Sequence, residues 1–310
     1  MKKIISLALI LTCSLCLVSC RKSAKSYNEE GLEALSSKKV EEAKKAFSHA
    51  YTQEKDNSAY AYNYAKSLYE DKEYADCVKV LENAVKSEKD KKRVQEEYYM
   101  LATSCFELKE ADKGINAVEN YVNIDYKTLS TYLKAYDLLK TYSYDKTAVS
   151  LLSQYDTKNQ KSASQTELGL YEYYLGDSDK AIDHFKQAVK KKDMSAYLNL
   201  AILYNARGDY KHGLDYVELF EKNASANELS AYQRGLSCMG TGDYEKAIES
   251  LNTYLSSSDK KYVKECMYNM IICYEKTLDY KSAYDMACTY LNSYDNEEVA
   301  REKVFLESRK

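Results

Sequence analysis

The stretch YLNLAILYNARGDYKHGLDYVELF, Tyr197–Phe220, decides the fold. Tyr197, Leu200, Ala201 and Tyr204 recur at helical spacing, so this segment presents one apolar face. Gly208-Asp209-Tyr210 interrupts it, with a glycine placed to close one helix and an aspartate placed to open the next. Gly213, Val217 and Phe220 then resume the helical period. The same order returns 34 positions later in GLSCMGTGDYEKAIESLNTY, Gly235–Tyr254. A repeat of this length indicates a stacked array of helix-turn-helix units.

Working outward, the pattern places units near residues 24, 58, 95, 128, 162, 194, 228 and 264. The first offers Tyr27, Gly31, Ala43, Phe47 and Ala50. Ala65, Leu68, Tyr74, Cys77, Leu81 and Ala84 mark the second, and Tyr98, Leu101, Ala102, Cys105, Gly114 and Val118 the third. The fourth is degenerate, keeping Ala135, Leu138 and Leu151, so a weak joint is expected near residues 128–161. Gly169, Ala181, Phe185 and Ala188 mark the fifth; Tyr274, Tyr280, Ala283 and Tyr290 mark the eighth. Residues 297–310 read as a polar helix covering the last apolar face, as solenoids require for solubility. The 33 tyrosines fall largely at the aromatic positions of the repeat and are expected to be chiefly core.

These residues resemble the tetratricopeptide repeat: small residues at positions 8 and 20, large ones at 4, 11 and 24. The resemblance covers residues 24–296 and implies an all-α, right-handed α-solenoid of about eight units, with the solenoid proper over 27–296. The chain departs from the family pattern in having no Trp and no Pro. Its turns between units must therefore rely on polar residues such as Asn57-Ser58 and Ser257-Ser258-Asp259.

The N-terminus carries a chemical address. Lys2 and Lys3 precede an apolar run from Ile4 to Val18, about 15 residues and short of the roughly 20 a spanning helix needs. Leu17-Val18-Ser19-Cys20 resembles the lipobox of bacterial lipoproteins. That resemblance implies a signal peptide over residues 1–19, a diacylglyceryl thioether on Cys20, and anchoring at the extracytoplasmic face of a cell membrane. Arg21–Ser26 completes a short tether, spanning at most about 20 Å.

Nine cysteines look like a disulfide framework until they are placed. Cys13 and Cys16 lie in the signal, and Cys20 is the lipid site. Cys77, Cys105 and Cys238 occupy repeat positions that need a small buried side chain. Cys266 and Cys273 share a helix face, with Cys288 on the partner helix, at spacings that match no zinc pattern. Whether those three interact is left open by the sequence. No metal and no cofactor is expected.

Forty-five basic against 48 acidic side chains give no nucleic-acid footprint. The chain has no H-E-x-x-H, G-x-S-x-G, Walker or dinucleotide motif. His49, His184 and His212 fall in units far apart, so no catalytic constellation and no enzyme is expected.

In the tetratricopeptide family the first helix of each unit lines a concave groove. Asn199, Gln233 and Asn269 take one groove position in the last three units, as an amide ladder for an extended peptide. Leu198, Tyr232 and Tyr268, with Ile202, Leu236 and Ile272, would flank it and supply contact area. The expected role is a membrane-tethered adaptor that holds a protein or peptide partner in envelope assembly or secretion. A solute-capturing lipoprotein serving a transporter is the second reading, and a self-associating scaffold the third.

Overall fold

The computed structural model describes residues 22–155 and 163–310; the signal segment, Cys20 and part of the joint at 128–161 lie outside the described residues. Seventeen α-helices and no strand occur among them. None is long and apolar enough to cross a membrane. Contacts divide the chain into two compact units, residues 1–161 and 162–310.

The first unit holds four helix pairs: α1 (Ala24–Ser36) with α2 (Val40–Gln53), α3 (Ser58–Glu70) with α4 (Tyr74–Ser87), α5 (Lys91–Glu107) with α6 (Ala111–Ile124), and α7 (Leu129–Thr141) with α8 (Asp145–Leu152). The second holds α9 (Gln165–Tyr174) with α10 (Ser178–Lys190), α11 (Met194–Ala206) with α12 (Tyr210–Asn223), α13 (Glu228–Thr241) with α14 (Tyr244–Leu255), and α15 (Val263–Lys276) with α16 (Tyr280–Leu291), closed by α17 (Glu297–Glu307). This is the expected α-solenoid of helix-turn-helix repeats with a terminal cap. The degenerate fourth repeat still forms a pair, but its second helix has only 8 residues.

One turn joins the helices inside every repeat. Its middle residue lies at positive φ: Lys38, Lys72, Lys109 and Ser143 in the first unit, Gly176, Gly208, Gly242 and Leu278 in the second. The next residue's N–H then reaches back to a carbonyl five positions earlier, in all eight repeats, at 2.8–2.9 Å. That bond satisfies a carbonyl that the helix end would otherwise orphan. In the second unit the residue making it is an aspartate, Asp177, Asp209, Asp243 or Asp279, whose carboxylate also accepts from the backbone of the following helix. In the first unit Lys39, Glu73, Glu110 and Tyr144 stand there without a side-chain cap.

Each repeat also contains a buried pair sixteen residues apart whose sizes compensate. Gly31 faces Phe47 and Gly169 faces Phe185, with rings so close that a Cβ on either glycine would meet them within 2.6 Å. Gly235 faces Leu251 in the same way. The remaining pairs are Ala65 and Leu81, Ala102 and Val118, Ala135 and Leu151, Ala201 and Val217, and, in reverse order, Ile271 and Ala287. A small residue on one helix lets the partner helix insert a large one, and the volume stays filled.

All six described cysteines are unpaired, and five are buried. Burial pushes the Cys77, Cys105 and Cys273 thiols up to about 11, and Cys266 to about 12. Cys77 donates its thiol to the Ala65 carbonyl. Cys266 packs with Tyr232 and Leu251, and Cys273 with Cys238 and Ala247. They fill the core as small apolar side chains.

Candidate protein-binding groove

Helices α3 and α5 touch directly, as do α11 and α13, so first helices of neighbouring repeats share a face. In the first unit that face opens into a groove of about 710 Å³. Helix α3 contributes Tyr62, Lys66 and Tyr69, at the three- and four-residue spacing that puts side chains on one stripe. Helix α5 contributes Lys92, Gln95, Glu96 and Tyr99 at the same spacing, and α7 adds Lys134 and Asp137. Tyr121, from α6, closes the floor between α5 and α7.

The tyrosines are held in place. The Tyr62 hydroxyl donates to Glu96 at 2.5 Å, bridging α3 to α5, and the Arg93 guanidinium lies over its ring at 5.4 Å. Tyr99 and Tyr121 meet at 5.8 Å. Gln95 donates to the Tyr121 carbonyl and to the Thr131 hydroxyl, both at 3.4 Å, tying α5 to the next repeat. Burial raises the phenols of Tyr62, Tyr99 and Tyr121, the last to about 12. At neutral pH each therefore remains an O–H group with an apolar body, the combination that suits a contact surface. Lys66, Lys92 and Lys134 are exposed and make no ion pair among the described residues. The lining offers aromatic area with cations at its rim and the carboxylates of Glu70, Glu96 and Asp137 between them.

The ladder expected in the last three repeats is placed differently. Tyr232 is 7 % exposed because its ring stacks on Tyr262, with centroids 4.4 Å apart and planes within 3°. Gln233 is 4 % exposed, and its Oε1 accepts from Asn205 at 3.0 Å. The Ser237 hydroxyl completes that buried network by donating to Asn205 at 2.8 Å. Leu198 packs with Tyr197 and Phe220. These three residues therefore belong to the interior, a correction to their expected place on an open face. Asn199, Ile202, Leu236, Asn269 and Ile272 are half-buried. Tyr268 is half-buried too, and burial together with Glu298 of the capping helix raises its phenol. An amide pair does form in the first unit, where Asn63 donates to Asn28 at 2.8 Å.

The groove across α3, α5 and α7 is built from residues outside the amide position, so the amide pattern does not reveal it. The signal was present in the spacing of Tyr62, Lys66 and Tyr69 and of Gln95 and Tyr99. The histidines stay apart, as their separate partners show. His49 lies against Tyr27, His184 bonds Gln165 and His212 bonds Asp209.

Residues 166–228 match a family model described as tetratricopeptide repeat. Residues 36–121 match one described as anaphase-promoting complex, cyclosome, subunit 3. No curated protein matches the chain. Among solved structures, the chain is similar to a tetratricopeptide repeat protein from Parabacteroides merdae, with a TM-score of 0.62 at 16 % identity, over 80 % of this chain and 98 % of that one. It is also similar to the Cut9–Hcn1 hetero-tetramer of the APC/C, with a TM-score of 0.53 at 16 % identity, over 86 % of this chain and 52 % of that one. At these identities the likeness is one of fold.

Proposed function

We propose that this chain, whose helix pairs are repeats of the tetratricopeptide type, is a lipid-anchored adaptor. It would hold a protein or peptide segment in the groove of its first unit at the outer face of a cell membrane, in envelope assembly or secretion. Proteins with such repeats generally act in protein–protein interaction. The observation that carries the reading is the groove itself. Three first helices set three tyrosines and three unpaired lysines along one open face, and Tyr121 of α6 adds a fourth ring. Aromatic side chains that are already ordered give contact area at little entropic cost on binding. The anchor rests on Leu17-Val18-Ser19-Cys20, which sets the lipid site only three residues before the Ser23 N-cap of α1. The partner would thus be held close to the bilayer.

Photo-crosslinking in the producing cell tests this, with the crosslinker at Tyr99 in the groove and at Glu119 on the outer helix α6 as control. The expected result is one discrete species from Tyr99 alone, which the purified chain then binds and Tyr99→Ala does not. Equal capture at both sites, or none, refutes the groove. Metabolic labelling with an alkyne fatty acid tests the anchor. Label lost on Cys20→Ser supports it, and label retained refutes it.

A further inference from the structure

Glu97 is the one Asp, Glu, Lys or Arg that the described fold buries completely, at 0 % exposure. Neither of its carboxylate oxygens has a hydrogen-bond partner. Its place in the repeat is ordinarily small. Five residues before the first member of the packing pair stand Ala196, Ser230 and Cys266 in the last three repeats, each also fully buried. A carboxyl here therefore answers no packing need, and burying it without partners costs stability.

The surroundings offer it little when ionised, only the field of Arg93 against burial and Glu88. Tyr62 faces it from α3, Glu88 from the C-cap of α4, and Arg93 from one turn earlier on α5. Arg93 is already committed to Glu88 at 2.8 Å, and the Tyr62 hydroxyl to Glu96 at 2.5 Å. Glu88, itself anionic, repels a second charge. Burial accordingly pushes the Glu97 carboxyl up to about 8. The helix that carries it also carries Gln95, Glu96 and Tyr99 of the groove.

We propose that Glu97 is a proton-operated latch on this groove: neutral, it allows α5 to pack on α3 and α4; ionised, it drives α5 outward to water and breaks the Tyr62–Glu96 bridge. The latch rests on the groove reading only for what it controls. The sign follows from linkage. Closed, the carboxyl holds its proton up to about pH 8, and opened to water it returns to the ordinary glutamate value of 4.5. The closed form binds the extra proton between those values, so each unit of rising pH favours opening about tenfold, and the effect levels off above about 8. The groove would be firm in acidic surroundings and loose in alkaline ones.

Hydrogen exchange of the whole chain, read by mass spectrometry from pH 5 to 9 and corrected for intrinsic exchange chemistry, tests this without any partner. Protection of α3–α5 amides, 58–107, is expected to fall about tenfold per pH unit and then plateau, while amides 210–255 do not follow. Glu97→Gln, which keeps the shape and cannot ionise, abolishes the slope, and Glu97→Ala, which imitates Ala196, does the same. A pH-independent wild type, or the same slope in Glu97→Gln, overturns the latch. Either result leaves the groove untouched, since that reading fails only through capture at Tyr99.

Discussion

Gly169→Ala should damage the fifth repeat even though alanine is the better helix former. The gain in propensity is about 1 kcal/mol. Against it, the new Cβ would stand 2.5 Å from Cε1, 2.6 Å from Cδ1 and 2.9 Å from Cζ of Phe185. Ordinary carbon contacts lie at about 3.5–4.0 Å, so the ring must retreat by roughly 1 Å. It has nowhere to go, because Phe185 is fully buried among Ala181, Ala196, Leu200 and Leu203. Overpacking of this kind costs about 1–3 kcal/mol. The clash is severe enough to take the upper part of that range, leaving a net loss of about 1–2 kcal/mol after the propensity gain. In a unit of this size that lowers Tm by roughly 2–8 °C. Phe185→Leu alone leaves a void and costs about 1–2 kcal/mol. The double variant recreates the Ala65 and Leu81 pair of the second repeat and should cost less than the sum by at least about 1 kcal/mol. Thermal and urea unfolding followed by far-UV circular dichroism would complete the cycle. A neutral or stabilising Gly169→Ala, or strict additivity in the double variant, refutes the idea that pairs sixteen residues apart share one fixed volume.

Leu278 is 69 % exposed and sits at φ 63°, so Leu278→Gly relieves backbone strain without losing core. It should raise stability by about 0.5–1 kcal/mol, seen as a higher Tm. Asp243→Ala removes the carboxylate that accepts from Lys246 N and should lower the midpoint of a urea titration. The carboxyls of Asp177, Asp209, Asp243 and Asp279 are held below their ordinary value, mainly by the partners they bond at the repeat turn. Their support is complete above the unfolded value of 3.8 and is lost as pH falls through the lower folded values. Melting of the second unit should therefore weaken below pH 3.8, less steeply in Asp243→Ala. Among the six described cysteines, Cys288 should react first with a thiol reagent at pH 8. The five buried thiols should follow only on unfolding, and six rapid equivalents would contradict the packing.

The repeat turns show how far sequence reading reaches. Gly208-Asp209 and Gly242-Asp243 announce both the left-handed residue and the cap, because each residue performs its task through its own backbone and side chain. Lys38, Lys72 and Lys109 adopt the same conformation with no such announcement. There the packing of both flanking helices imposes the turn, and propensity is overridden. The groove was harder still. Tyr232 and Gln233 stand at positions that can face outward, but Tyr262 and Asn205 claim them, and those partners lie in the following inter-repeat loop and the preceding repeat. Glu97 gives no sequence cue at all, since an acid one place from Glu96 looks like any solvated pair. Which of the two points inward depends on the helix phase against α3 and α4, a tertiary fact.

The packing order of the helices has a consequence in time. Each helix rests on its neighbours in the chain, and the first helices of adjoining repeats are the longest-range contacts of note within either unit. No residue has to wait for a distant segment before it finds its place. Low contact order of this kind favours rapid folding, and it allows a chain to build itself as it is delivered, from its first repeat onward. The groove needs only α3 to α7, and so it is complete once residue 141 has emerged, with more than half the chain still to come.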